Sequence, residues 1–285
     1  MPSATPVENP RVELKDLATK AARIRLATAG EGAATPVVLV HDVLQSHLAF
    51  SSVVPLLARR GRCFALDLPG AGESEKPSAA RFAYSVSALA DVVVDLVASM
   101  RLGRVAIVGH GVGAAIALAC AAAHPAVVTK LVLVAPVVYE GAIGPLDRLA
   151  RIPLLGPMAI KQLVGFSEFR RYFASYVFAD DAAVAVDRIR AHFECFSSPA
   201  GREATLATLR ATADRRSTVA ILPRVRQETL VVAGRLDRLV PLADGRRLAR
   251  ELASARLVAL DAGHSPPEEV PEAFAKVVGD FLWHG

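Results

Sequence analysis

The chain of 285 residues is poor in several features by which whole classes of protein are recognised. Aromatic residues make up 6% of it, with a single tryptophan and only three cysteines. The cysteines, at positions 63, 120 and 195, lie far apart and lack the spacing of a metal or redox motif. Because they cannot all pair, they favour a reducing compartment. The sequence therefore predicts neither a disulfide framework nor a metal site.

Segments that would direct the chain to a membrane are also missing. The first residues have no basic start followed by an apolar run, so no secretory signal peptide is expected. The longest apolar helical stretch, residues 114–123, is too short to cross a bilayer. We expect a cytoplasmic protein without a membrane span.

The charge balance is basic, with a formal net charge of +5 and a pI of about 9.4. No basic helix with interleaved aromatic residues is present, so nucleic-acid binding is not expected. A mildly basic surface would favour anionic ligands or, more weakly, an acidic acyl-carrier protein. Hydrophobic residues make up 53% of the chain, enough for one large core or two small ones, built mostly from Ala, Val and Leu.

Along the chain, apolar strand-like runs alternate with amphipathic or alanine-rich helical segments. This alternation predicts a mostly parallel sheet covered by helices on both faces. Strands are predicted near residues 12–14, 22–26, 37–40, 63–66, 105–108, 131–134, 230–233 and 256–260. Helices are predicted at 48–60, 86–100, 114–124, 242–252 and 271–282. Ligands of such sheets bind beyond the carboxyl ends of the strands.

The segment G-H-G-V-G at residues 109–113 lies between a predicted strand and an alanine-rich helix. This strand–turn–helix setting is that of the G-x-S-x-G nucleophile elbow, in which small residues permit a tight turn. The central residue would be Ser, Cys or Asp if a covalent intermediate formed there. It is Gly111, so the nucleophile position is vacant.

Four further blocks occur in the order expected around such an elbow. They are V-L-V-H-D-V at 38–43, L-D-L-P-G-A-G-E-S at 66–74, T-L-V-V-A-G-R-L-D at 229–237 and D-A-G-H-S at 261–265. With the elbow, they resemble the α/β-hydrolase superfamily over roughly residues 20–283. The resemblance implies an eight-stranded, mostly parallel sheet with helices on both faces and a helical cap. It divides the chain into a first core part at 1–138, a cap at 139–226 and a second core part at 227–285.

The resemblance also assigns roles to residues. It implies His264 as the catalytic histidine, Asp237 as the acid that orients it, and the backbone amides of Val43 and Val112 as oxyanion donors. Backbone donors survive the loss of a side chain at Gly111. Without a serine, however, hydrolysis through an acyl-enzyme is excluded, because losing this group can cost on the order of a millionfold in turnover. The resemblance further predicts that Gly111→Ser would create labelling by fluorophosphonates and aryl-ester hydrolysis if the remaining site is correctly built.

Asp42 stands where the resemblance expects a glycine, in the oxyanion loop. Two interpretations of Asp42 remain open. Its side chain either turns to solvent or caps a loop amide, or it is an acid or base whose pKa is raised by apolar neighbours. His110 is expected to be structural, and Ser46 and Ser265 are weak candidates for a substitute nucleophile.

Three functions remain open from the sequence. The first is an enzyme in which His264, oriented by Asp237, acts as a general base on water or on an acidic substrate proton, without a cofactor. Its substrate would be an apolar ester or carbonyl compound, and the reaction a hydrolysis, elimination, isomerisation or cyclisation. The second is a pseudo-hydrolase that only binds a hydrophobic small molecule, and the third is a serine hydrolase inactivated at Gly111. The aromatic residues of the segment 139–226 either form its own core or line an apolar ligand pocket. The sequence identifies neither the substrate nor the oligomeric state.

Overall fold

The computed structural model describes residues 10–140, 144–180 and 186–284. The amino-terminal residues on which the targeting prediction rests lie outside these ranges. Eight strands form one sheet: β1 (Glu13–Ala18), β2 (Arg23–Ala29), β3 (Val37–Val40), β4 (Cys63–Leu66), β5 (Val105–His110), β6 (Val128–Val134), β7 (Glu228–Gly234) and β8 (Ala255–Leu260). Their order is β1-β2-β4-β3-β5-β6-β7-β8. The pairs β1–β2 and β2–β4 are antiparallel and all others are parallel. The predicted fold class is confirmed.

The central strands are buried on both faces, which explains why their sequences are continuous apolar runs rather than alternating ones. Alternate residues of each strand enter two separate cores. Val38 and Val40 of β3 join one core, and Val37 and Leu39 join the other on the opposite face.

Helices cover both faces of the sheet. The first core packs against α2 (Val86–Ser99), α3 (Val112–Ala123) and α10 (Leu242–Glu251), and the second against α1 (Val54–Leu57) and α12 (Pro271–His284). A short α11 (Pro266–Glu269) precedes α12. Helix α3 is buried almost all round, as expected of a helix with little polar character. Its first residue therefore has a fixed position beside the carboxyl ends of β3 and β5.

In the described residues between β6 and β7, six α-helices form the segment that we call the insertion. They are α4 (Pro145–Arg151), α5 (Leu155–Met158), α6 (Phe166–Tyr172), α7 (Val186–Ser197), α8 (Pro199–Ala211) and α9 (Arg216–Ile221). Phe169 and Phe173 stack at 4.7 Å between ring centroids within a core that belongs to the insertion. The boundaries predicted at 139 and 226 stay predictions.

The helix predicted at 48–60 is not formed as one element. A 3₁₀ turn at His47–Phe50 begins at Ser46, whose hydroxyl accepts a hydrogen bond from the amide of Leu48, and α1 spans only Val54–Leu57. Proline at position 55 fits the first turn of a new helix but not the interior of a longer one. In the described ranges, no helix combines the length and the apolar character that crossing a bilayer requires.

Candidate active site

Four loops meet beyond the carboxyl ends of β3, β5, β7 and β8, and they carry Asp42, Gly111, Asp237 and His264. Gly111 is the residue before α3, and its φ of +55° lies in the left-handed region that an elbow nucleophile normally occupies under strain. Glycine adopts this conformation without that cost. The flanking glycine at 113 allows close packing, since a Cβ there would lie 2.3 Å from the carbonyl oxygen of Val40. The predicted elbow geometry is present, with no side chain at its centre.

The space above Gly111 is filled by the carboxylate of Asp42. A Cβ built on Gly111 would lie 2.0 Å from Cγ of Asp42 and 2.2 and 2.3 Å from its two carboxylate oxygens. Oδ1 of Asp42 accepts a hydrogen bond of 2.7 Å from the amide of Val112. The carboxylate therefore fills the volume of an elbow side chain. It also accepts the hydrogen bond of the Val112 amide, which was predicted as an oxyanion donor. Val43 lines the same cavity, and the donor role of its amide stays a prediction.

His264 lies between two carboxylates. Its Nε2 donates to Oδ2 of Asp42 at 3.0 Å, and its Nδ1 donates to Oδ2 of Asp237 at 2.8 Å. Asp237 is held in turn by the amides of Leu239 and Val240, which donate to its Oδ1 at 2.8 and 2.9 Å. The structure pairs Asp237 with Nδ1 of His264, and the catalytic roles of both residues stay predictions. Nε2, however, faces a carboxylate instead of a hydroxyl.

The charges of Asp42, Asp237 and His264, which we call the trio, determine the protonation of His264 and Asp42. Burial alone would lower the pKa of His264, but the charge and hydrogen bonds of Asp237, together with those of Asp42, outweigh burial and raise the pKa to about 10. Burial alone would raise the pKa of Asp42, but the hydrogen bond and charge of His264 lower it to about 2. The predicted rise in the pKa of Asp42 is wrong, because its decisive neighbour is an imidazolium rather than an apolar side chain. At neutral pH His264 is therefore protonated and Asp42 is ionised.

We expect the substitution Asp42→Asn to lower the pKa of His264 from about 10, because one of its two carboxylate partners is lost. The imidazole nitrogen shifts in ¹⁵N NMR, followed from pH 5 to 11, measure this change. Asp261→Asn is the matched control, since that carboxylate lies in the same loop as His264 and is 86% exposed. An identical titration of His264 in the Asp42→Asn protein would contradict the hydrogen bond between them.

The same shift links folding to pH. The folded-state pKa of His264 exceeds its ordinary value of 6.5, so protonated His264 contributes stability that is fully present below about pH 6.5. This contribution is lost as the pH rises towards 10. The folded-state pKa of Asp42 is depressed, so its contribution is present above its ordinary value of 3.8 and is lost as the pH falls towards 2.

Two cavities adjoin each other here, and the smaller one opens beside Asp42 and His264. The smaller, of about 40 Å³, is lined by Asp42, Val112 and His264 on the core side and by α4 and α6 on the other. The larger, of about 410 Å³, lies within the insertion and is walled mostly by apolar side chains. Leu44, Leu146, Tyr172 and Leu209 line both cavities. A small molecule with an apolar portion fits this arrangement, with its reactive end beside Asp42.

Sequence reasoning missed two charged residues of the smaller cavity. Asp147 of α4 and Arg215, which directly precedes α9, form a partly buried ion pair of 3.4 Å that lines the same cavity as His264. Burial raises the pKa of Asp147 and lowers that of Arg215. Arg215 also donates to the carbonyl oxygen of Tyr139 at 2.9 Å, which ties α9 to the chain leaving β6. Neither residue belongs to a motif, so no sequence signal was available.

The weaker nucleophile candidates are engaged elsewhere. The hydroxyl of Ser265 donates to Oε2 of Glu268 at 2.8 Å, and the hydroxyl of Ser46 caps the 3₁₀ turn described above. Glu268 also accepts from Nε2 of His192 at 3.0 Å, joining the histidine loop to α7 of the insertion. His110 is fully buried, and its Nε2 donates to the carbonyl oxygen of His264 at 2.7 Å.

The sheet order, the elbow before α3 and the histidine–aspartate pair beyond β8 and β7 together define the α/β-hydrolase architecture. The model of the alpha/beta hydrolase family matches residues 37–277 of the chain. The chain therefore belongs to the alpha/beta hydrolase family.

Relatives of known activity support this assignment. The chain is 30% identical over 273 residues to the 2-hydroxymuconate semialdehyde hydrolase of Pseudomonas sp. (strain CF600), covering 92% of each protein. Among solved structures, the epoxide hydrolase CorEH matches with a TM-score of 0.83 at 21% identity, over 96% of this chain and 99% of that one. The 2-hydroxy-6-oxo-6-phenylhexa-2,4-dienoate hydrolase of Rhodococcus sp. strain RHA1 matches with a TM-score of 0.82 at 23% identity, over 97% and 100%. At these identities the two structures establish the fold alone.

Proposed function

We propose that the protein is a hydrolase that acts on an apolar carbonyl compound by acid–base chemistry, without a covalent serine intermediate. The observation that carries the proposal is the position of Asp42. Its carboxylate fills the elbow above Gly111 and is hydrogen-bonded to the two partners that a nucleophile would have there, the imidazole of His264 and the amide of Val112. An elbow that had merely lost its serine would leave the volume above Gly111 empty. Here the carboxylate of Asp42 fills that volume and has two hydrogen-bond partners.

His264 acts in this proposal as an acid, which revises the role assigned to it from the sequence. A general base needs a free lone pair, and both ring nitrogens of His264 donate hydrogen bonds to carboxylates. With a pKa of about 10, the ring is protonated at neutral pH. The imidazolium can therefore donate its Nε2 proton, whereas the unprotonated partner is Asp42.

The proton transfers close into a cycle. Asp42 takes a proton from water as the water adds to the substrate carbonyl, and Nε2 of His264 gives its proton to the leaving group. Loss of that proton removes the positive charge that depresses the pKa of Asp42, so the carboxylate becomes more basic as the reaction proceeds. The proton on Asp42 then returns to Nε2 across their 3.0 Å contact, and the starting state is restored. Overall, water and substrate are converted into an acid and a leaving group bearing hydrogen.

The substrate class follows from the cavities. The larger cavity within the insertion accepts an apolar group, and the smaller one accepts the carbonyl end. The relative from Pseudomonas is named for a semialdehyde, a carbonyl compound of modest size. We therefore place esters, lactones and conjugated dicarbonyl compounds with an apolar substituent first among the candidates.

Turnover of a panel of such compounds, beginning with p-nitrophenyl butyrate, tests the proposal. We expect hydrolysis by the unaltered protein that resists fluorophosphonates and falls about a hundredfold or more in both Asp42→Asn and His264→Gln. Asp261→Asn, which removes an exposed carboxylate near the site, serves as the control with unchanged turnover. Binding of substrate should persist in Asp42→Asn. Full activity in that variant would overturn the role of Asp42, and no turnover of any panel compound would overturn the proposal in favour of a binding protein.

A second candidate reaction is favoured by the position of the Asp42 carboxylate at the elbow. There the carboxylate could attack a saturated carbon and form an alkyl ester, while His264 gives its proton to the leaving group. The neutral His264 would then activate the water that hydrolyses this ester. A single turnover in H₂¹⁸O distinguishes the two routes, because only the ester route places ¹⁸O in the Asp42 carboxylate.

A further inference from the structure

We infer that Asp42, His110 and His264 form a binding site for a first-row divalent transition-metal ion such as Zn²⁺. One potential ligand atom from each of these residues lies within 4.8 Å of the other two. Two imidazoles and a carboxylate suit zinc, iron, cobalt or manganese, whereas magnesium and calcium prefer oxygen ligands throughout. The inference concerns the binding of the metal ion. It bears on the proposed function only because a water molecule on the ion would serve as the nucleophile.

The strongest indication is a nitrogen of His110. Its Nε2 donates to the carbonyl oxygen of His264, which can only accept, so the proton of this ring lies on Nε2. Nδ1 therefore carries a lone pair. The ring of His110 is fully buried, and within the described residues its Nδ1 has no hydrogen-bond partner. Buried polar atoms are rarely left unpaired, and a lone pair in such a position needs a proton donor or a metal.

Each of the three ligands has a partner that fixes its orientation. Asp237 accepts from Nδ1 of His264 at 2.8 Å, an arrangement in which a carboxylate supports a metal-binding histidine. The His264 carbonyl supports His110 at 2.7 Å. The amide of Val112 holds Oδ1 of Asp42 and leaves Oδ2 as a single ligand atom. This supporting set is what protein metal sites require beyond their direct ligands.

Distance and charge are consistent with an ion in this place. Oδ2 of Asp42 and Nε2 of His264 are 3.0 Å apart. Ligands around a tetrahedral ion at about 2.1 Å are separated by about 3.4 Å, so this pair would open by a few tenths of an ångström on binding. A divalent ion placed here would lie against the carboxylate of Asp42 and would replace the proton that Nε2 of His264 shares with it. Proton and metal are thus alternative occupants of one position.

The cavity of about 40 Å³ beside Asp42 and His264 accommodates one water molecule on the open side of such an ion. A metal-bound water loses a proton much more readily than free water and is a strong nucleophile near neutral pH. In the loaded protein it would take the place of the water that Asp42 activates, and the elbow would need no side-chain nucleophile.

Metal titration of the full chain tests the inference. The protein is dialysed against a chelator and titrated with Co²⁺, followed by visible absorbance, and with Zn²⁺, followed by elemental analysis and thermal unfolding. We expect one ion per chain, a rise in Tm with added ion, and a loss of affinity of at least about a hundredfold in His110→Gln and in Asp42→Asn, since even supporting residues contribute tenfold to hundredfold. His124→Gln, outside the cluster at the end of α3, is the matched control.

Several outcomes separate this inference from the proposed function. The buried His110→Gln variant could fail to fold, so Asp42→Asn serves as a second variant of the site. Asp42 keeps 13% of its side chain exposed, which makes this substitution easier to accommodate. Binding that is absent in the unaltered protein, or equal in all variants, overturns the metal site. If no ion binds to the unaltered protein but hydrolysis dependent on Asp42 is still observed in excess chelator, only the metal inference fails. If an ion binds with the expected variant pattern but no panel compound is hydrolysed, the proposed function fails and the metal site stands.

Discussion

Replacing Asp42 by glycine and Gly111 by serine together is expected to turn the protein into a serine hydrolase that reacts with fluorophosphonates. Removing the Asp42 carboxylate empties the volume above position 111 and frees the amide of Val112 for an oxyanion. His264 and Asp237 already have the geometry of the remaining two triad members. We expect aryl-ester hydrolysis to exceed that of either single variant by about a thousandfold, given the size of the loss when a serine is removed from a complete site.

The single variants are the controls for this conversion. Gly111→Ser alone, which the sequence resemblance predicts to be sufficient, is expected to remain unlabelled, because its Cβ would lie within 2.3 Å of three Asp42 atoms. Asp42→Gly alone has no nucleophile. Adding His264→Gln to the double variant should abolish labelling again. Labelling of Gly111→Ser at the rate of the double variant would show that Asp42 does not block the elbow.

The second large effect concerns stability. We expect Glu268→Ala to lower the free energy of unfolding by about 3 kcal/mol, because it breaks a buried charged cluster and leaves its partners without an acceptor. Glu268 accepts from His192 at 3.0 Å, from Ser265 at 2.8 Å and from Gln45 at 2.8 Å. These contacts join the insertion, the histidine loop and the loop after β3. Urea denaturation followed by circular dichroism measures the loss.

Two further variants separate charge from packing. Glu203→Ala removes an exposed carboxylate on α8 and should change stability by less than about 0.5 kcal/mol. Glu268→Gln keeps the size but not the charge. Burial would raise the pKa of Glu268, but the charge and hydrogen bond of His192 outweigh it and lower the pKa. Its contribution is therefore present above the ordinary value of 4.5 and is lost as the pH falls through the lowered pKa. Glu268→Gln should weaken this acid sensitivity, and equal acid sensitivity in both proteins would contradict the assignment.

The fold was largely predictable because its signals are local. Buried parallel strands have continuous apolar sequences, and their alternation with helical segments defines the sheet class. All eight predicted strands are present within a few residues of their expected positions. The helix predicted at 48–60 was wrong because its apolar residues belong to two short elements. One is the 3₁₀ turn capped by Ser46, and the other is α1, which has Pro55 in its first turn.

The site was predictable only in part. His264 and Asp237 were identified because each lies in a recognisable loop, and the structure joins them at 2.8 Å. Asp42 was recognised as unusual, but its role was not, because its effect depends on a glycine 69 positions later in the sequence. The ion pair of Arg215 with Asp147 and the contact of His110 with His264 also join residues that are distant in sequence. Such long-range pairings carry no local pattern.

The steric conflict at the elbow imposes an order on the history of the site. A serine at position 111 and Asp42 in its present rotamer are mutually exclusive. In a lineage descended from an ordinary serine enzyme, the elbow side chain had to disappear before or together with the arrival of the carboxylate. Once Asp42 was in place, a serine could not return at position 111 while the carboxylate kept its present rotamer. The arrival of Asp42 therefore made the loss of the elbow side chain effectively irreversible.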